Sequence, residues 1–160
     1  MRRFASLAFA LVAAASPSAA QAAHPSFGGT WTLDVSATPA SSMTPTSMTV
    51  VIVQNDKTIN VSSDAVTSMG PQKATQLINL DGTPTKNPVD AGGGASIDLT
   101  STAAWDGPSP VVTTKAEVQG QTLQQIDRWT LDADGKTLKM ARGLSIAGQS
   151  MDMSLVFKKS

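Results

Sequence analysis

The sequence predicts an all-β fold: an antiparallel up-and-down meander of about eight to nine strands closed into a barrel, with a β-sandwich as the alternative. Three observations predict it. Two-residue turn signals recur through the second half, at Asp106-Gly107, Gln119-Gly120, Asp132-Ala133-Asp134-Gly135 and Ala147-Gly148, each between short segments of alternating apolar residues. Pairing the segments through those turns gathers the apolar residues on one face. No segment has the three-to-four spacing of a convincing helix.

The first residues stand outside this pattern. Arg2 and Arg3 precede an apolar run from Phe4 to Ala15, and Ala20-Gln21-Ala22 supplies small residues at cleavage positions. This reads as a signal peptide over residues 1–22, cleaved, with an apolar run too short to span a membrane. Residues 23–160 then form one domain of about 137 residues, with no transmembrane segment in the mature chain. The expected location is periplasmic or secreted, in a bacterium.

The first strand covers Thr30 to Val35, with Trp31, Leu33 and Val35 on one face. A Ser/Thr/Pro/Met linker follows from Ser36 to Ser47. Met48 to Gln54 and Lys57 to Ser62 make a hairpin around Asn55-Asp56, setting Ile52 opposite Ile59. Asp64 to Lys73 reads as a loop around Gly70-Pro71. Thr75 to Leu80 is a fourth strand. Thr83 to Gly94, rich in Pro and Gly, reads as a long loop, a lip or gate to the barrel.

The remaining strands are Ala95–Trp105, Pro108–Val118, Gln121–Leu131, Lys136–Ile146 and Gln149–Lys158. The turns set Leu99 opposite Thr114, Thr114 opposite Gln125, Gln125 opposite Arg142, and Arg142 opposite Met153. Opposed residues share a face. One face then holds Ile97, Leu99, Val112, Leu123, Trp129, Leu138, Met140, Leu144, Met151, Met153, Leu155 and Phe157. The other holds Asp98, Thr113, Lys115, Glu117, Arg128, Lys139, Asp152 and Lys158. Such an exterior is wrong for a membrane barrel, which needs apolar groups there.

Among the inward residues are polar ones. Thr114, Gln125, Asp127 and Arg142 share the face with Trp129, Met140 and Met153, and Asp127 and Arg142 fall on adjacent strands as diagonal neighbours. Two readings fit. The pair closes a barrel filled by its own side chains, or these seven residues line a pocket whose few polar groups orient a small, partly apolar ligand.

Composition excludes much else. The whole chain carries 12 basic and 12 acidic residues. Without Arg2 and Arg3 the net charge is about −2, which leaves no basic footprint for nucleic acid. Cysteine is absent, so there is neither a thiolate nucleophile nor a disulfide. The sole histidine, His24, sits beside the mature terminus, and the sole glutamate, Glu117, lies on the outer face. A Ser-His-Asp arrangement therefore lacks its base. Asp132 to Gly135 is a turn without the further ligands of a calcium loop. Gly92-Gly93-Gly94 lacks the Lys-Ser/Thr of a phosphate loop. No catalytic residues, metal or cofactor are expected.

Gly29-Thr30-Trp31 on the first strand resembles the Gly-x-Trp signature of lipocalins. The segments Gly29–Asp34, Trp105–Gly107, Trp129–Leu131, Asp134–Leu138 and Val156–Lys159 also resemble secreted bacterial proteins described as lipocalin-like, which are calycin-type barrels. The resemblance implies an up-and-down barrel around a cavity for small apolar ligands, with Trp31 at the closed end under an Arg from a late strand, for which Arg142, one strand early, is the candidate. The chain departs from lipocalins in having no Tyr, no Thr-Asp-x-x-x-Tyr motif and no disulfide. The expected function is binding of a small, partly apolar molecule in the barrel. The alternative is a filled barrel serving as an envelope structural or protein-interaction module.

Overall fold

The computed structural model describes residues 24–92 and 95–160. The expected signal peptide, and Gly93 and Gly94 of the glycine run, lie outside the described residues. Ten strands form one sheet: β1 (Gly29–Leu33), β2 (Ser47–Gln54), β3 (Thr58–Thr67), β4 (Gly70–Asn79), β5 (Thr85–Gly92), β6 (Ala95–Asp106), β7 (Ser109–Val118), β8 (Gln121–Leu131), β9 (Thr137–Ile146) and β10 (Gln149–Lys159). Their order is β4-β3-β2-β1-β10-β9-β8-β7-β6-β5, every pair antiparallel. The first strand thus joins two meanders, and the sheet curls until its edges, β4 and β5, face each other in a nearly closed barrel.

The sheet has one strand more than the sequence predicts, and two others are longer. Asp64 to Lys73 is not a loop. It extends β3 and begins β4, with Val66 opposite Pro71. The stretch from Thr85 is not a lip either, but strand β5, paired with β6 from Thr85↔Ser101 to Gly92↔Ala95. Both misreadings rest on proline. Pro71 and Pro88 lie in β4 and β5, the two strands at the sheet edges, where a missing N–H costs no ladder bond.

Register follows the turns. Gln119 and Ala147 each have φ 52°, with Gly120 at 76° and Gly148 at 78°. These are tight turns with both central residues left-handed, and they fix Val118↔Gln121 and Ile146↔Gln149 as expected. The other three hairpins turn one residue later than expected, because Asn55, Asp106 and Asp132 stand just before the turn, the first position that Asx residues favour. Asn55 Oδ1 accepts hydrogen bonds from the Lys57 and Thr58 amides at 2.9 and 2.8 Å. Pairing shifts there by two residues, giving Ile52↔Val61, Ser101↔Thr114 and Gln125↔Leu144. A shift of two preserves the face. The expected faces of the paired strands therefore stand, although their rows move and Met151 is 42% exposed; Val35, expected on the inner face of the first strand, lies beyond the end of β1 and is 52% exposed.

One end of the barrel is solid. Phe27 and Trp31 are fully buried among Ile59, Ile78, Leu138 and Phe157. The segment before β1 plugs this end: the Phe27 amide donates to Gln54 Oε1 at 2.8 Å, and Trp31 Nε1 donates to the Phe27 carbonyl at 2.8 Å. Phe27 meets Trp129 edge-on at 5.8 Å, and His24 stacks on Trp105 at 3.8 Å. Outside, Lys115, Glu117, Arg128, Lys139, Asp152 and Lys158 are exposed, with ion pairs such as Lys139–Asp132 at 2.8 Å. No helix among the described residues is long and apolar enough to cross a membrane.

Candidate functional site

The other half of the barrel is hollow, and its polar centre lies on β8 and β9. Strand alternation points Gln125, Asp127 and Trp129 inward from β8, and Met140 and Arg142 inward from β9. Because the turn at Asp132 falls one residue late, Asp127 stands directly opposite Arg142, a correction to the expected diagonal. The guanidinium grips the carboxylate at two points: Arg142 Nε donates to Asp127 Oδ1 at 2.7 Å, and Nη2 donates to Oδ2 at 2.9 Å. Gln125 Nε2 adds a third bond to Oδ2 at 2.8 Å. The Asp127 side chain is 7% exposed and that of Arg142 23%. A carboxylate only accepts, so this bond fixes the amide of Gln125 with its Oε1 turned away from Asp127.

Two adjoining cavities share this centre. The inner one, of about 190 Å³, is lined by Thr114, Gln125, Asp127, Trp129, Met140 and Arg142 on one side and by Met48, Val50, Val61, Ser63, Ala74 and Gln76 on the other. The outer one, of about 260 Å³, lies under the loop between β1 and β2, which contributes Met43 and Pro45. Leu144, Met153 and Leu155 complete its wall. Gln125, Arg142, Met48, Ser63 and Ala74 line both. Gln125 and Arg142 thus stand at the divide between an inner chamber and a mouth, with Asp127 on the inner side.

A second polar cluster closes the seam. Gln76 of β4 donates through Nε2 to Ser101 Oγ at 2.6 Å and to Thr114 Oγ1 at 2.9 Å. No backbone ladder joins β4 to β5. Asn87 takes its place: its Oδ1 accepts from the Leu77 amide at 2.7 Å, and its Nδ2 donates to the Leu77 carbonyl at 3.0 Å. A primary amide has the same donor and acceptor pair as a peptide unit, so one side chain mimics a ladder rung.

All seven residues predicted from the sequence line one or other cavity. Thr114 differs from expectation in two respects: its hydroxyl is already held by Gln76 and Ser101, and it stands opposite Ser101 rather than Leu99. The opposite wall, from β2, β3 and β4, was not predicted as site. Its signal was the inward phase of Met48, Val50 and Gln76, which becomes informative only once the barrel closes. Trp129 Nε1 is the one fully enclosed side-chain polar atom without a partner among the described residues.

The cation over Trp31 is also reassigned. Arg142 is committed to Asp127 inside the barrel, and Lys159 of β10 lies over the Trp31 ring at 5.2 Å. The short signature acquires a physical cause here. Gly29 has φ +140°, and a Cβ there would come within 2.7 Å of Lys159 Cε. Glycine at this position leaves room for the lysine stem to reach the indole face.

Ionisable groups near the mouth are engaged. Lys73 donates to Asp64 at 2.7 Å, and this hydrogen bond, with the carboxylate charge behind it, holds the ammonium above its usual range. At the start of the β1–β2 loop, the Ser36 hydroxyl donates to Asp34 at 2.6 Å and holds that carboxyl below its usual range. Among the described residues, no three His, Cys, Asp or Glu side chains gather as metal ligands.

No protein-family model and no curated protein sequence matches the chain. Solved structures do match. The wild-type fluorescent protein UnaG superposes with a TM-score of 0.53 at 14% identity, covering 84% of this chain and 97% of that one. Secretory abundant heat soluble protein 4 from Ramazzottius varieornatus superposes with a TM-score of 0.52 at 11% identity, covering 84% and 94%. At such identities the likeness shows the fold. This chain folds as a calycin-type barrel, the class to which the lipocalin-like signature pointed.

Proposed function

We propose that this protein is a non-enzymatic binding protein that holds a small, partly apolar molecule inside its barrel, in the periplasm or outside the cell. The observation that carries the reading is the hollow half of the barrel. Two cavities, of about 190 and 260 Å³, meet at an ion pair in a wall otherwise rich in Met, Val, Leu and Ala. Binding sites for small molecules have this character: concave, mostly apolar, with a few fixed polar groups. Methionines at Met48, Met140 and Met153 give a lining that adapts to ligand shape. A barrel serving only as scaffold gains nothing from unfilled interior, since unfilled volume forfeits packing. A non-enzymatic role is supported by the lining: Asp127 is the one carboxylate among the lining residues, it is held by Arg142 and Gln125, and no His, Cys or Glu lines either cavity beside it.

Native mass spectrometry of the protein purified from its own cells tests the reading, with a co-purifying small mass expected. Titration with an apolar fluorescent probe should enhance probe emission and change Trp129 emission. Ser63→Trp, which places an indole in the wall of both cavities, should abolish both signals. A probe that binds the Ser63→Trp variant as well as the parent, together with no co-purifying mass, would refute interior binding in favour of a structural module.

A further inference from the structure

The ion pair at the divide also selects the kind of head group the ligand carries. This inference rests on the binding function proposed above. An arginine inside an apolar chamber looks at first like a receptor for a carboxylate. The local chemistry points the other way. Asp127 already holds the guanidinium at two points, so the site is neutral overall. A ligand carboxylate would face one cation and a second anion within the same poorly solvated space, where like charges repel strongly. The other cation of the wall, Lys73, has a side chain 79% exposed and paired with Asp64.

What the centre does offer is an unpartnered donor nitrogen beside an unpartnered acceptor oxygen. Arg142 spends Nε and Nη2 on Asp127, and Nη2 also reaches Met140 Sδ at 3.5 Å. Its Nη1 has no hydrogen-bond partner among the described residues. Neither has Gln125 Oε1, which the Asp127 bond turns away from the carboxylate. Both residues line both cavities. The matching ligand group accepts from Nη1 and donates to Oε1. A hydroxyl does this, and so does a primary amide. A carboxylate has no proton to give and would set an oxygen against Oε1.

We infer that the Gln125–Asp127–Arg142 centre selects an uncharged amphiphile, a compact apolar body ending in a hydroxyl or carboxamide, and rejects the carboxylate of the same chain length.

Decanol, decanamide and decanoate, which share one chain length and differ at the head, test this by displacement of the apolar probe at pH 8. Decanol and decanamide should each bind about tenfold or more tighter than decanoate. Asp127→Asn keeps the shape and an acceptor for Arg142 but leaves the centre cationic. It should improve decanoate relative to decanol by about tenfold or more. Should that variant not fold, Gln125→Met keeps the ion pair but removes the free acceptor together with the Nε2 bond to Asp127, and should weaken decanamide and decanol relative to decanoate. Decanoate binding the parent as tightly as decanol would overturn the inference while leaving interior binding intact. An unchanged ratio in either folded variant would do the same. Failure of all three molecules to displace the probe would count against both.

Discussion

Replacing Arg142 with methionine should strand the Asp127 carboxylate in the barrel wall. In the native protein this side chain is 7% exposed and takes two of its three hydrogen bonds from the guanidinium. Removing one partner of a buried ion pair costs about 3–5 kcal/mol, because the survivor remains desolvated. Here the flanking cavities can admit water, and Gln125 stays in place, so a loss near the lower end, about 3 kcal/mol, is expected. With a urea dependence of about 2 kcal/mol per molar, the unfolding midpoint should fall by about 1.5 M. Asp127→Leu combined with Arg142→Met removes both charges and restores apolar packing. That double variant should lie within about 1 kcal/mol of the parent. Urea unfolding of the parent, the two single variants and the double variant gives the coupling energy directly. A loss below about 1 kcal/mol for Arg142→Met would refute the reasoning, since it would mean that Asp127 is wet and the pair structurally idle. A double variant no better than the single would refute it too.

Gly29→Ala should destabilise by about 1–3 kcal/mol in thermal unfolding, because φ there is +140° and the new Cβ would push Lys159 off Trp31. Adding Lys159→Ala to it should recover the clash but not the backbone strain. Ala147→Asn should raise stability by about 0.5–1 kcal/mol, since Ala147 sits at φ 52° in a tight turn where asparagine fits better. Asn87→Ala should cost about 1–3 kcal/mol and speed hydrogen exchange at the Leu77 amide, which has no other described partner across the seam. Asp34, held below its ordinary value chiefly by the Ser36 hydroxyl, contributes stability that is present above the unfolded carboxyl value and is lost as pH falls through the depressed one. Ser36→Ala should therefore narrow the stability difference between pH 7 and pH 3.

The antiparallel meander and one wall of the cavity were legible in the amino-acid pattern. Alternation assigns each residue to a face, and sliding a hairpin turn by one residue moves its pairing by two, so errors at Asn55, Asp106 and Asp132 left inside and outside unchanged. That is why alternation alone assigns Gln125, Asp127, Trp129, Met140, Arg142 and Met153 to the interior. Tertiary structure decided what alternation cannot encode. Whether Arg142 faces Asp127 squarely or diagonally depends on where a turn closes, which Asx side chains and backbone geometry settle together. Pro71 and Pro88 hid two strand segments, because proline breaks a central strand but is harmless on an edge, and a sheet's edges exist only after assembly. The cation over Trp31, the seam held by Asn87 and the far wall from Met48 to Gln76 all join residues distant in the chain. Local pattern carries no information on such pairs; they are set by the way a ten-stranded sheet curls to cover its own apolar face.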